Sequence, residues 1–231
     1  MKRCSLIFLA LILALSLFGV ACADAAVPPN ETATAAPGAA APAESATMAP
    51  AEVYTNPDAG YSFTVPDGWA AIDAQNAQTT QKDFLDGAGL SASLAATFEQ
   101  YKDMPFALLL EKNAAYTTFG NNINIIVQDL GQAMDVSSFL PFQSTFEQSI
   151  QATYPDYVTT VPLALVQIGP WQTASMSGTY TQNGVKLVNN QVMITSGVKL
   201  YVITLTAAAD EAAKYGEVLN GLVASFAAPQ A

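Results

Sequence analysis

The side chains able to do chemistry in this sequence are few: two cysteines, 19 carboxylates, scattered serines and two tryptophans, with no histidine at any position. Without histidine, Ser-His-Asp and Cys-His nucleophiles, His-ligated zinc and His-ligated haem are all excluded. Ser91, Ser93, Ser175 and Ser177 stand outside any Gly-x-Ser-x-Gly turn, and only a Ser-Lys pairing would remain to activate them, so no catalytic serine is expected. Asp58, Asp67 and Asp73 gather around a first strand as oxygen-rich calcium sites do. They lack the spacing of a calcium loop, and turn-forming aspartates account for them better. Asp129, Asp135, Glu147 and Asp156 are scattered, with no basic partner on a shared face to suggest general acid and base roles. No metal site, cofactor or catalytic residue is expected.

The tryptophans and one row of hydroxyls offer binding chemistry instead. Trp69 follows a Pro66-Asp67-Gly68 turn, where a large ring reads as a core plug. Trp171 follows Gly169-Pro170 at the start of a strand, and core packing and partner contact both remain open for it. From Gln172 to Thr181 the alternation puts Thr173, Ser175, Ser177, Thr179 and Thr181 on one face, with Ala174, Met176, Gly178 and Tyr180 on the other. Such a row is a solvated face or the lining of a partner groove. The candidate binding residues are therefore Trp171, Thr173, Ser175 and Ser177.

Charge narrows the partners. Of 8 basic residues Lys2 and Arg3 open the chain, so the part beyond Cys22 sets 6 lysines against 19 acids. Nucleic acid is excluded, because phosphate binding needs a basic footprint. Lys2 and Arg3 precede an apolar run from Leu6 to Phe18 and the small residues Gly19 to Ala23, which is the pattern of a secretory signal peptide over residues 1–22. The run is shorter than the ~20 residues a bilayer core requires of a helix. Cys22 is placed like the lipidated cysteine of a bacterial lipoprotein, although Gly19 stands where a leucine is usual; cleavage after Cys22-Ala23 or Asp24-Ala25 without lipid is the alternative. Both cysteines, Cys4 and Cys22, belong to this segment, so no disulfide can staple the remainder. Residues 23–52 are mostly Ala, Pro, Thr, Glu and Ser, without an aromatic. This composition predicts a disordered tether with a reach of about 30 Å.

The folded part is expected over residues 53–228, with 229–231 as a tail. Tyr61, Phe63 and Val65 alternate as a strand, and Leu90, Leu94, Phe98 and Tyr101 share a helix face. Phe106 to Leu110 and Ile123 to Val127 are strands. Ser137 or Ser138 can cap a helix whose stripe is Phe139, Phe142, Phe146 and Ile150. A meander follows over 163–168, 171–181, 185–195 and 199–206, with a tight turn at Gln182-Asn183-Gly184. Leu200 to Leu205 is apolar on both faces, which predicts a central strand covered twice. A last helix over 210–226 presents Tyr215, Leu219, Leu222 and Phe226. Together these elements predict an α+β fold: an α-β-α sandwich with an antiparallel sheet of about seven strands and about three packed helices.

Gly60-Tyr61-Ser62-Phe63-Thr64-Val65-Pro66-Asp67-Gly68-Trp69 resembles the opening motif of the PsbP-like superfamily. Asn122 to Gln128, Ile168-Gly169, Tyr180, Tyr201 to Thr204 and Tyr215 to Phe226 resemble its later elements in order. The superfamily includes the photosystem II extrinsic protein, the nuclear Ran-release factor and exported bacterial lipoproteins. The resemblance implies an assembly or adaptor role. The expectation is an extracytoplasmic, lipid-anchored, non-catalytic domain that binds a cell-envelope or extracellular protein. The alternative is a small-ligand carrier or enzyme with its site between the sheet and the 73–120 region.

Overall fold

The computed structural model describes residues 51–229, apart from 91–93, 96–97, 100–104 and 113–119. The signal segment, Cys22, residues 23–50 of the tether, Ser91, Ser93 and Tyr101 lie outside the described residues; Glu52, expected in the tether, joins the fold, its carbonyl accepting from Val65 N–H at 2.8 Å.

Two strands, β1 (Val53–Asn56) and β2 (Tyr61–Thr64), form a hairpin of their own. Seven more make one antiparallel sheet in the order β3-β4-β5-β9-β8-β7-β6. Their ranges are β3 (Trp69–Ile72), β4 (Phe106–Glu111), β5 (Asn122–Asp129), β6 (Val158–Ile168), β7 (Trp171–Gln182), β8 (Val185–Ser196) and β9 (Lys199–Ala208). The strand expected to be covered on both faces, β9, takes the middle place. Its odd residues Tyr201, Ile203 and Leu205 face one core and its even residues Leu200 and Val202 face another. The Asn183-Gly184 turn between β7 and β8 has φ of 51° and 77°, the doubly left-handed backbone that a two-residue hairpin needs.

Among the described residues three α-helices with defined bounds flank the sheet: α1 (Lys82–Gly87), α2 (Gln143–Thr153) and α3 (Ala212–Ser225). Leu94 and Phe98 are also helical and buried, as their spacing predicts. On one face α3 and the β1–β2 hairpin seal a core containing Trp69, Tyr61, Phe63, Ile203, Tyr215 and Leu219. On the other face α2 covers Met176, Tyr180, Met193 and Val202, while Leu85, Leu90, Leu94 and Phe98 cover Leu108, Leu110 and Ile126. These three layers are the α-β-α sandwich.

Local details correct the sequence reading. The segment before α2 is a 3-10 helix over Val136–Phe142, and its cap is Asp135, whose carboxylate accepts from Ser137 N–H at 2.7 Å; neither Ser137 nor Ser138 caps it. That hydrogen bonding holds the Asp135 carboxyl below its usual range. Phe139, Phe146 and Ile150 are buried as the stripe predicts, whereas Phe142, at the junction where the 3-10 helix passes into α2, is exposed. β6 begins at Val158, five residues before the expected start, and β1 and β3 were not anticipated. Pro229 does not hang free, since its carbonyl accepts from the Ser196 hydroxyl.

Candidate functional site

The carboxylates that could do chemistry are engaged in backbone geometry. Asp73 accepts from Gln75 N–H and Asn76 N–H at 2.8 Å and from the Tyr54 hydroxyl at 2.7 Å. Asp129 accepts from Gly131 N–H, and Asp156 accepts from Thr181 N–H. Glu147 accepts from Gln143 Nε2 and from the Thr159 hydroxyl, tying α2 to the sheet edge. Among the described residues no group of three or more Cys, Asp or Glu side chains could hold a metal ion. No described helix is long and apolar enough to cross a membrane.

The hydroxyl row on β7 is brought beside α3. Ser175 and Ser177 are half-buried and line a groove of about 200 Å³ with Val166, Asn190, Leu219 and Asn220. Thr173 does not share that exposure: it is fully buried, its hydroxyl donates to the Val166 carbonyl at 2.8 Å, and it lies 3.1 Å from Ser175 Oγ. It therefore secures the β6–β7 pairing. Trp171 is half-buried beyond it. Its indole N–H donates to the Phe226 carbonyl at 2.7 Å and its ring meets Phe226 edge-on, which fastens the end of α3 to the sheet. Trp69 is buried against Tyr215 in the same core, as its position after the turn predicts.

Beside this groove runs β6, an edge strand of 11 residues without a charge. Val158, Val161, Leu165 and Val166 are 60%, 52%, 39% and 42% exposed. Pro162 and two register shifts on either side of Val161 interrupt its pairing with β7, devices that blunt an edge against indiscriminate strand addition.

The opposite face of the sheet holds a second feature that sequence patterning missed. Register sets Asn122 (β5), Thr206 (β9) and Asn189 (β8) in one row across three strands, and Asn124, Thr204 and Gln191 in the next. All six are at most 3% exposed. Leu108 and Leu110 flank the block on one side, Met176 and Gly178 on the other. Seven of its side-chain atoms have no hydrogen-bond partner: Asn122 Oδ1, both amide atoms of Asn124 and Asn189, Gln191 Oε1 and Thr206 Oγ1. A buried orphan costs about 1–3 kcal/mol, so seven would rival the ~5–15 kcal/mol that holds a domain folded.

Near the block, the Tyr180 hydroxyl is buried without a partner and its ring stacks on Tyr154 with centroids 4.0 Å apart. Burial pushes the Tyr180 phenol well above its ordinary value and raises that of Tyr157 to about 12. The Tyr157 ring lies directly against the backbone of Gly178. The signal for the block was present as Asn122-x-Asn124, Asn189-x-Gln191 and Thr204-x-Thr206. Each pair alone reads as the wet side of a strand, and only the register brings them together.

No protein-family model and no curated protein matches the chain. Solved structures do. A cyanobacterial PsbP from Synechocystis sp. PCC 6803 matches at 13% identity and a TM-score of 0.49, over 82% of this chain and 98% of that one. LpqN of Mycobacterium tuberculosis, a protein involved in cell envelope biogenesis, matches at 15% identity and 0.44, over 79% of this chain and 88% of that one. A structure from Bacteroides thetaiotaomicron VPI-5482 matches at 13% identity and 0.44 over 78% of this chain, which spans about half (49%) of that longer one. At 13–15% identity and TM-scores below 0.5, these likenesses carry no argument about family or role.

Proposed function

We propose that this chain is an extracytoplasmic, non-catalytic binding domain, held at a membrane surface through lipidated Cys22, that captures a cell-envelope or extracellular protein along β6 and the adjoining groove. The observation that supports it is the distribution of exposed apolar side chains: of the seven large ones among the described residues, four lie on β6. A neutral apolar edge beside half-buried Ser175 and Ser177 gives a partner both burial and directional hydrogen bonds, on a chain whose net charge of −11 would otherwise repel acidic surfaces. Trp171 closes one end of this surface and Thr173 stiffens it.

Two experiments test the proposal. Fatty-acid labelling should mark the wild type and not Cys22→Ser; an unlabelled wild type whose mature chain begins beyond Cys22 removes the anchor. Pull-down from envelope extract should recover one specific protein with the wild type and with Val53→Lys, an exposed position on the separate hairpin, and lose it with Val161→Lys combined with Val166→Lys. Equal capture by all three overturns the β6 surface.

A further inference from the structure

We propose that the groove between α3 and strands β6, β7 and β8 seats one tyrosine side chain of the captured protein, with the ring against its walls and the phenol on its polar floor. This rests on the protein-capture reading and names the anchor which that reading leaves open.

Volume and charge limit the occupant first. The groove of about 200 Å³ is smaller than the ~300–1,000 Å³ that a drug-sized ligand occupies, and it suits a single side chain. Its walls are apolar, with Val166 and Ile168 from β6 on one side, Leu219 from α3 on the other and Val192 beneath. No lining residue is charged. A carboxylate, ammonium or guanidinium entering it would therefore give up water with no ion to replace it. Of the side chains that most often anchor an interface, tryptophan, tyrosine and arginine, this leaves the two aromatic ones.

The floor selects between them. Register pairs Ser177 with Asn190 and Ser175 with Val192. Thr173 already donates its one hydroxyl proton to the Val166 carbonyl, so in the 3.1 Å contact between the Thr173 and Ser175 hydroxyls it is Ser175 that donates. Ser175 Oγ is then left to accept, while the Ser177 hydroxyl and the Asn190 amide can give or take. A phenol donates to the first and accepts from the others. An indole N–H can only donate, and a phenylalanine ring can do neither.

Gly216 points the same way by a separate route. It is the fifth residue of α3, inside a helix, where glycine is among the poorest formers. Its backbone is not left-handed and a Cβ there would meet nothing within 4 Å, so neither conformation nor packing calls for glycine. It does line the groove, one turn before Asn220, and a branched side chain in its place would narrow it. Gly221, further along α3, is equally unconstrained and does not line the groove, which makes it the control.

The test titrates the full chain with N-acetyl-tyrosinamide and its phenylalanine, tryptophan and arginine counterparts, following the backbone amide resonances of Ser177, Asn190 and Gly216. The tyrosine probe should shift all three saturably and bind about fivefold or more tighter than each counterpart, the worth of a hydrogen bond or two. Gly216→Leu should lose about tenfold or more in tyrosine affinity while melting at or above the wild-type temperature, and Gly221→Leu, with the same gain in helix propensity, should bind as the wild type does. Ser175→Ala should bind the tyrosine and phenylalanine probes alike. The seat is overturned if the tyrosine probe does not bind, if any counterpart binds as tightly, if Gly216→Leu binds like Gly221→Leu, or if Ser175→Ala keeps the preference for tyrosine. Capture from envelope extract separates this inference from the reading it rests on. A partner that Gly216→Leu still captures, and that Val161→Lys combined with Val166→Lys does not, removes the seat and leaves the β6 surface standing.

Discussion

Gly178→Ala probes the packing of the β7 strand against the loop that follows α2. A Cβ at this position would lie 2.2 Å from Tyr157 Cζ and 2.3 Å from its hydroxyl oxygen, whereas carbon atoms settle at about 3.5–4.0 Å, so the ring must retreat by more than an ångström. It has little room to do so. Tyr157 is buried in the α2 core, its N–H donates to the Tyr154 carbonyl at 2.9 Å, and its own carbonyl accepts from Gln151 Nε2. Overpacking of this kind costs about 1–3 kcal/mol, and alanine recovers about 0.5–1 kcal/mol of the backbone entropy that glycine loses in a strand. The expected net loss is about 1–2 kcal/mol. Urea melts read it as a lower midpoint at constant slope. In a Tyr157→Ala background the obstruction is gone, and the same substitution should stabilise by about 0.5–1 kcal/mol, so the pair should couple by about 2 kcal/mol. A neutral Gly178→Ala in the wild type, or an equal cost in both backgrounds, would refute the argument.

The two tryptophans should part in degree. Trp69→Ala empties a sealed site and should lose about 3–5 kcal/mol, while Trp171→Ala loses a half-buried ring and its bond to Phe226 and should lose about 2 kcal/mol, more than an exposed contact residue would. Trp171→Phe, which keeps the ring edge on Phe226, should lose about 1 kcal/mol; denaturant melts of the three check the order. Stability should also fall in alkali. Burial raises the phenols of Tyr54, Tyr61, Tyr157 and Tyr180 in the folded chain above the ordinary value near 10, so the unfolded chain releases those protons first. Stability is then complete below about pH 10 and declines by about 1.4 kcal/mol per pH unit for each such tyrosine as the pH climbs toward about 12. Melts from about pH 9 to 11.5, with phenolate absorbance followed alongside, check this; ionisation of these phenols in a chain that is still folded would contradict it.

Local pattern carried much of the architecture. The alternation of Tyr61, Phe63 and Val65, the four-three-four spacing of Tyr215 to Phe226, the Asn183-Gly184 turn and the doubly apolar Leu200 to Leu205 run each describe a burial periodicity that one element satisfies within itself. The absence of histidine likewise removed whole classes of chemistry before any fold was considered. What sequence missed depends on elements far apart in the chain. β3 is four residues long and holds its place through pairing with β4, some forty residues away. Asp135 displaced two serines as the cap because the backbone there coils as a 3-10 helix. Thr173 and Ser175 share one face of β7, yet the β6 carbonyl at Val166 takes the first into the interior while the α3 groove leaves the second half open. The polar block is the extreme case. Asn122, Thr206 and Asn189 look like surface residues within their own strands, and they become buried only because the sheet orders β5, β9 and β8 side by side in a register that sets all three in one row. Alternation along a strand fixes which residues share a face, but whether that face meets water is decided by what the rest of the chain lays over it.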